Sequence, residues 1–190
     1  MRMIFSTTPG TLMVICFWLL IWLLAITKDI APILEGKGFS KVGYEHYRFF
    51  TAGLTHTHFL HLCFNVAAMF WIGHLYEERL GTIRFLITGV LCAVFAQVIF
   101  LCIYHSIESS IGGSVYTYAL CGFGLTLQFL IPGFPKLTLG TWSGNWLVIS
   151  MILSNFPILS FMDVSTFFVH LIAFVVGIVA AFLSWSLGLR

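Results

Sequence analysis

The sequence has few charged residues. Lys, Arg, Asp and Glu together make up 8% of its 190 residues, while 59% of the residues are hydrophobic. A soluble domain carries about 25% charged residues, so the charges here are too few to coat a surface exposed to water. This scarcity excludes a soluble enzyme, a nucleic-acid-binding protein and a disordered tail, and the net charge of +2 indicates no polyanionic partner. The composition is that of a polytopic membrane protein embedded in a lipid bilayer.

Cysteine is scarce and follows no pattern. All the cysteines lie in apolar stretches, where a cysteine acts as a small hydrophobic residue. They are Cys16, Cys63, Cys92, Cys102 and Cys121. We therefore expect no disulfide framework and no zinc site, and the sequence indicates neither a metal nor a cofactor.

Six apolar runs are long enough to cross a bilayer, which takes about 17–25 helical residues. They cover residues 11–27, 58–76, 85–104, 115–131, 146–162 and 166–185. The pattern predicts an all-α bundle of six transmembrane helices that forms a single domain over residues 1–190. We interpret the first run as a retained helix rather than a signal peptide, because it contains Trp18 and Trp22 and no small-residue cleavage site follows it.

The longest connection, residues 28–57, is too long for a structureless loop, so we expect it to be structured. Lys and Arg in the short loops indicate the orientation. If the N-terminus is inside, the cytoplasmic side collects Arg2, Arg79, Arg84, Lys136 and Arg190, and the short outer loops collect none. We expect both termini in the cytoplasm. Without organellar targeting features, we also expect a multi-pass protein of a prokaryotic plasma membrane.

Four polar side chains lie within the predicted helices or at the head of one, where lipid makes polar groups costly. They stand near the start of the second, fourth and sixth helices, at His61, Asn65, Ser114 and His170. These three helices run in the same direction, and at about 1.5 Å per residue all four side chains fall in the outer third of the bilayer. Three helices thus offer polar groups at one depth, which predicts a single site.

The residue types at this depth fit acyl transfer. A serine hydroxyl becomes a nucleophile when a base removes its proton, and histidine is the usual base. Ser114 follows Gly112 and Gly113 at a helix N-terminus, where free N–H groups and the helix dipole favour negative charge. His61 and Asn65 are four residues apart, so they share a helix face and can both donate to an oxyanion.

A third catalytic residue is missing from this set. No Asp or Glu lies within a predicted helix, so we expect Ser114 and His170 to act as a dyad. Tyr118, one turn after Ser114, can pack against the His170 ring. Ala173 and Gly177 have the small-residue spacing that lets membrane helices approach closely, which predicts contact between the sixth helix and the fourth.

Five segments carry a family resemblance. They are Tyr47 and Arg48 in the long loop; His56, His61 and Asn65; Glu77, Arg79 and Gly81; Gly112, Gly113, Ser114 and Val115; and His170 with Ala173 and Gly177. In this order and spacing they resemble the motifs of the rhomboid intramembrane serine proteases over about residues 47–177. Tyr47 stands where the family has Trp, and Val115 stands where a glycine often follows the serine. Neither departure removes a catalytic group.

The resemblance implies a six-helix rhomboid-like bundle and a function. Ser114 would be the nucleophile and His170 the base, while His61, Asn65 and the Ser114 N–H would form the oxyanion hole, with Tyr118 beside them. The implied substrates are single-span membrane proteins, cut in or next to their transmembrane segment. The resemblance also implies that the long loop lies partly in the outer leaflet and that the fifth helix or its outer loop gates entry.

Other functions stay open on the sequence. A catalytically inactive rhomboid-like protein would keep the fold and bind transmembrane helices. A metal or haem protein would use His56, His58 and His61 as ligands. An ion-coupled transporter would need carboxylates within the membrane or broken helices in symmetric halves.

Each candidate residue also has a structural interpretation. Ser114 could be only a helix N-cap, and His170 could be an interhelix hydrogen-bonding residue. His61 and Asn65 could satisfy loop backbone groups. Tyr118 could be core packing. We interpret His56 as a residue that stabilises the long loop by hydrogen bonding.

Overall fold

The computed structural model describes residues 8–56, 58–107, 109–154 and 164–188. Its six main helices are α1 (Pro9–Lys28), α2 (Phe59–Leu80), α3 (Thr82–Ile103), α4 (Ser114–Leu130), α5 (Trp142–Ser154) and α6 (Val164–Ser186). Within the described residues the chain forms no strand, and one isolated antiparallel bridge joins Gly36 to Ser110. The architecture confirms the prediction of an all-α membrane bundle.

Four helices, α1, α2, α3 and α6, are long and apolar enough to cross a membrane. Helix α4 has 17 residues, most of them buried, and it forms the centre of the bundle. Helix α5 begins at Trp142, four residues before the predicted start at 146, and the predicted remainder, 155–162, lies outside the described residues.

The second helix is longer than predicted. The predicted helix ended at residue 76, before the charged residues 77–79. In the structure α2 continues to Leu80 and ends at Gly81, whose φ is +81°. Glu77, in the last turn of α2, is buried and accepts hydrogen bonds, so the helix includes its carboxylate. The expectation that no carboxylate lies within a helix span was therefore wrong.

The Glu77 carboxylate caps the N-terminus of α1. It accepts hydrogen bonds from the backbone N–H groups of Gly10 at 2.7 Å and Thr11 at 2.8 Å, and from the Thr11 hydroxyl at 2.6 Å. The Thr82 hydroxyl at the start of α3 donates to it at 2.9 Å. A carboxylate at a helix N-terminus satisfies free N–H groups and complements the helix dipole. Glu77 therefore joins α1 to α2 and α3 at the end of the bundle where α1 begins.

Helix α4 packs most extensively against α6. A β-carbon at Gly122 of α4 would lie 2.1 Å from the Phe174 carbonyl oxygen, and one at Gly177 of α6 would lie 2.0 Å from the Ala119 carbonyl oxygen. Both positions bring backbone against backbone, which is how small residues drive helix association in membranes. The predicted contact between the sixth and fourth helices is confirmed.

Residues 29–58 connect α1 to α2 and are called the first loop below. The loop contains single-turn helices at Ala31–Leu34, Phe39–Val42 and Arg48–Thr51 and a 3₁₀ turn at Ala52–Leu54. The buried Arg48 side chain donates to the Pro32 and Glu35 carbonyl oxygens at 2.8 and 3.0 Å and forms an ion pair with Glu45 at 2.8 Å. One guanidinium thus ties together two parts of the loop.

The first loop also holds the segment that leads into α4. Gly36 and Ser110 exchange backbone hydrogen bonds of 2.8 Å, the Gly38 N–H donates to the Ile107 carbonyl at 3.0 Å, and the Gly112 N–H donates to the Ala52 carbonyl at 3.0 Å. These bonds fix the backbone immediately before Ser114. The end of the bundle that carries the first loop is called the loop end.

Gly122→Ala tests the close approach of α4 and α6. The added β-carbon would overlap the α6 backbone, so we expect a loss of stability of about 1–3 kcal/mol, which is typical of overpacking. The measurement is thermal unfolding in detergent. Gly53→Ala is the control, because nothing lies within 4 Å of a β-carbon at Gly53. Equal melting temperatures for Gly122→Ala and Gly53→Ala would contradict the packing argument.

Candidate active site

Ser114 and His170 form a hydrogen-bonded pair between two helices. Ser114 is the first residue of α4, and His170 lies in the second turn of α6. The Ser114 Oγ and His170 Nε2 atoms are 2.7 Å apart, and both residues are buried. With Nε2 unprotonated, the hydroxyl donates to the ring, which is the arrangement that general-base activation of a serine requires.

The packing of α4 on α6 creates this pair. Ser114, Tyr118 and Gly122 follow one another at intervals of four residues and so share one face of α4. His170 and Gly177 share a face of α6, and Gly177 meets the α4 backbone at Ala119. The backbone contact below the pair sets the helix separation, and the serine and histidine then meet above it.

Tyr118 holds the ring of His170. The two rings stack with centroids 4.1 Å apart and planes 8° from parallel. The Tyr118 hydroxyl donates to the Met151 carbonyl oxygen of α5 at 2.5 Å. The stacking is the contact predicted from the Tyr118 position, whereas the bond to α5 was not predicted. The imidazole plane is therefore coupled to a third helix.

His61 and Asn65 share one face of α2, and both are buried. A β-carbon on Gly112 would lie 2.5 Å from His61 Cε1, 2.8 Å from His61 Nε2 and 3.5 Å from Ser114 Oγ. The His61 ring and the serine hydroxyl therefore flank the same glycine. The His61 Nε2 atom is buried and has no hydrogen-bond partner among the residues that the structure describes.

Gly112 occupies a position that only glycine fits. Its φ is +126°, a region that other residues rarely adopt, and the space beside its α-carbon is filled by the His61 ring. The two requirements are independent, and both arise because the chain turns sharply into α4 next to His61.

The buried cluster around Ser114 also contains His56, which the family motif groups with His61 and Asn65. Its Nε2 atom lies 3.0 Å from Asn65 Nδ2 and 3.1 Å from the Gly113 backbone nitrogen, which donates to it. The ring is fully buried. His56 was expected to stabilise the first loop by hydrogen bonding, and its Nε2 atom joins that loop to α2 and to the turn before Ser114. The motif grouped these residues, and the fold shows which atoms of His56 contact Asn65 and Gly113.

The described residues offer no obvious metal centre. No three His, Cys, Asp or Glu side chains in that part of the chain are grouped so that they could hold a metal ion. His56 and His61 meet edge to face with ring centroids 5.2 Å apart.

Comparison with known proteins gives one family. Residues 44–187 match the family model described as the Rhomboid domain. No curated protein matches the chain. The match confirms the resemblance drawn from the five motifs. The matched range runs from the first loop through α6. It includes the residues of the candidate site, which are His56, His61, Asn65, Ser114, Tyr118 and His170.

Gly112→Ala is predicted to disturb the cluster without touching Ser114 or His170. The β-carbon would displace the His61 ring and strain the backbone, and misplacement of a catalytic group by about 1 Å can cost on the order of 10²-fold in rate. We expect any reaction that depends on Ser114 to slow by at least about 10-fold, measured as an initial rate. Gly53→Ala should react like the parent protein. If Gly112→Ala reacts as fast as Gly53→Ala, the reaction does not depend on the position of the His61 ring.

Proposed function

The chain belongs to the rhomboid family, and from this premise we propose that it is an intramembrane serine endopeptidase. It would hydrolyse a peptide bond in or next to the transmembrane segment of membrane-protein substrates. The observation that carries the proposal is the buried 2.7 Å contact between Ser114 Oγ and His170 Nε2. An N-cap serine or a structural histidine does not require such a partner, whereas an activated nucleophile does.

In the proposed first step, Ser114 Oγ attacks the scissile carbonyl carbon and His170 Nε2 takes the hydroxyl proton. The carbonyl oxygen becomes an oxyanion. The Ser114 N–H, at the N-terminus of α4, and donors from His61 and Asn65 would stabilise it. A buried His61 nitrogen without a described partner supports this role, because a donor that waits for substrate costs free energy until it is used.

The following steps return the enzyme to its starting state. The carbon–nitrogen bond breaks, and the proton on His170 passes to the leaving amine, which leaves an acyl group on Ser114 Oγ. His170 then removes a proton from water, and the hydroxide attacks the ester carbonyl. Collapse of this second intermediate releases the product as a carboxylic acid, and the proton on His170 returns to Ser114 Oγ. The Tyr118 stack would keep the imidazole plane fixed through both half-reactions.

The location of the dyad suggests which substrates are cut. Ser114 starts α4, and Asn65 and His170 lie within about two turns of the start of their helices, so the site is near the loop end of the bundle. A transmembrane helix hides its carbonyl groups in internal hydrogen bonds. Substrates must therefore unwind locally, which favours segments with Gly, Pro or other weak helix formers.

The proposal includes the orientation and the location of the protein in the membrane. The loop end would face the outside, both termini would be cytoplasmic, and the membrane would be a prokaryotic plasma membrane. Residues 1–190 would act as a single domain. These points follow from the distribution of Lys and Arg and from composition.

Ser114→Ala tests the proposed function directly. We expect it to abolish cleavage of a single-span substrate with a Gly-containing transmembrane segment in proteoliposomes, because the nucleophile is gone. Ser150→Ala is a matched control, since Ser150 is also buried but donates only to the Trp146 carbonyl of its own helix at 2.7 Å.

Two outcomes would contradict the proposal. Cleavage that persists in Ser114→Ala would remove Ser114 as the nucleophile. A folded parent protein that binds the substrate segment and does not cut it would favour the inactive, helix-binding member of the family.

A further inference from the structure

We infer that His56 is a positioning residue for the oxyanion hole. Its Nε2 atom would orient the side-chain amide of Asn65 and join that amide to the turn before Ser114. The inference rests on the proposed function, because it assigns His56 a part in the same reaction. The geometry behind it is the pair of contacts from His56 Nε2 to Asn65 Nδ2 at 3.0 Å and to the Gly113 nitrogen at 3.1 Å.

The direction of these hydrogen bonds follows from the backbone. The Gly113 N–H can only donate, so His56 Nε2 must be an acceptor and carry no proton. The neutral ring then has its proton on Nδ1. Burial lowers the pKa of His56 to about 3, with a smaller effect of His61 in the same direction, so the ring is uncharged at neutral pH. The bond to Asn65 must accordingly run from the amide N–H to the ring.

This direction fixes which way the Asn65 amide faces. The two ends of an asparagine amide have similar shape, and rotation about χ2 is soft, so sterics alone do not choose between them. An acceptor at His56 Nε2 selects the orientation with nitrogen toward the histidine. One amide hydrogen is then engaged, and the second on the same nitrogen is available to an oxyanion. The flipped amide would offer its oxygen instead, which would repel the developing negative charge.

The position of His56 is itself well fixed. The ring is fully buried and contacts Trp18 of α1 edge to face with centroids 5.3 Å apart. His61 lies on another side of it. The first loop therefore ends in a rigid imidazole that touches α1, α2 and the turn into α4. A rigid acceptor can hold an amide in one orientation, whereas a mobile side chain could not.

Three substitutions at His56 separate positioning from packing. His56→Gln places an amide oxygen near the Nε2 position and keeps an acceptor there. His56→Asn is shorter, and its amide reaches only the position of the Nδ1 atom of the ring. His56→Leu keeps bulk and has no acceptor. His46→Gln is the control, because His46 is an exposed histidine of the same loop.

We expect His56→Asn and His56→Leu to lower kcat by about 10-fold or more. An oxyanion donor stabilises mainly the transition state, so its misplacement lowers kcat more than it changes substrate binding. KM should change little. His56→Gln should recover most of the rate, and His46→Gln should match the parent. The assay is cleavage of the single-span substrate in proteoliposomes, with melting temperatures measured alongside. Equal kcat for His56→Gln and His56→Asn would overturn the inference, and this comparison stands even if His56→Leu does not fold.

The same substitutions in an Asn65→Ala background test whether His56 acts through Asn65. If it does, His56→Asn should cost less than about 3-fold once the amide is absent, because the two residues form one unit and their effects are not additive. A full 10-fold loss in both backgrounds would overturn the inference.

The result is distinguishable from failure of the proposed function. If the parent protein and Ser114→Ala cleave equally, or neither cleaves, the peptidase proposal fails and the role of His56 fails with it. If cleavage depends on Ser114 but is insensitive to the residue at position 56, only the role of His56 is wrong.

Discussion

The hydrogen bond between Ser114 and His170 depends on how closely two helices approach. Gly122 of α4 and Gly177 of α6 each face the backbone of the other helix, at positions where a β-carbon would lie about 2 Å from a carbonyl oxygen. In a bilayer the hydrophobic effect does not drive helices together, so close van der Waals packing at small residues has to hold them. The glycines thus determine whether a serine on one helix can reach a histidine on the next.

At the loop end, the first loop positions the turn that leads to Ser114. The first loop forms backbone hydrogen bonds with Ile107, Ser110 and Gly112, and its His56 contacts the turn before Ser114. The polar groups of the cluster are buried, where an unmet hydrogen bond is costly. His56 Nε2, Asn65 and the dyad have protein partners, while His56 Nδ1 and His61 Nε2 have none among the described residues. Glu77 performs a similar joining role at the opposite end by capping α1.

Much of this arrangement could be predicted from sequence because it depends on composition and helix periodicity. Low charge and long apolar runs predicted the bundle. The shared depth of Ser114, His61 and His170 predicted one site, and the stack of Tyr118 on the histidine followed from a spacing of four residues. The cap of Glu77 on α1 could not be predicted, because its partners lie 66 and 67 residues away in sequence. The contacts of His56 with Asn65 and Gly113, and the bond from Tyr118 to α5, likewise depend on tertiary packing rather than on any local pattern.

We propose that the packing of α4 against α6 produces an activated serine inside the membrane domain. Reaction with a fluorophosphonate, followed by peptide mass spectrometry, tests it most directly in lipid nanodiscs. We expect a phosphonyl adduct on Ser114 of the parent protein and none on that residue in folded His170→Ala. A folded parent protein without an adduct at Ser114, or a His170→Ala variant that reacts as fast as the parent, would contradict it.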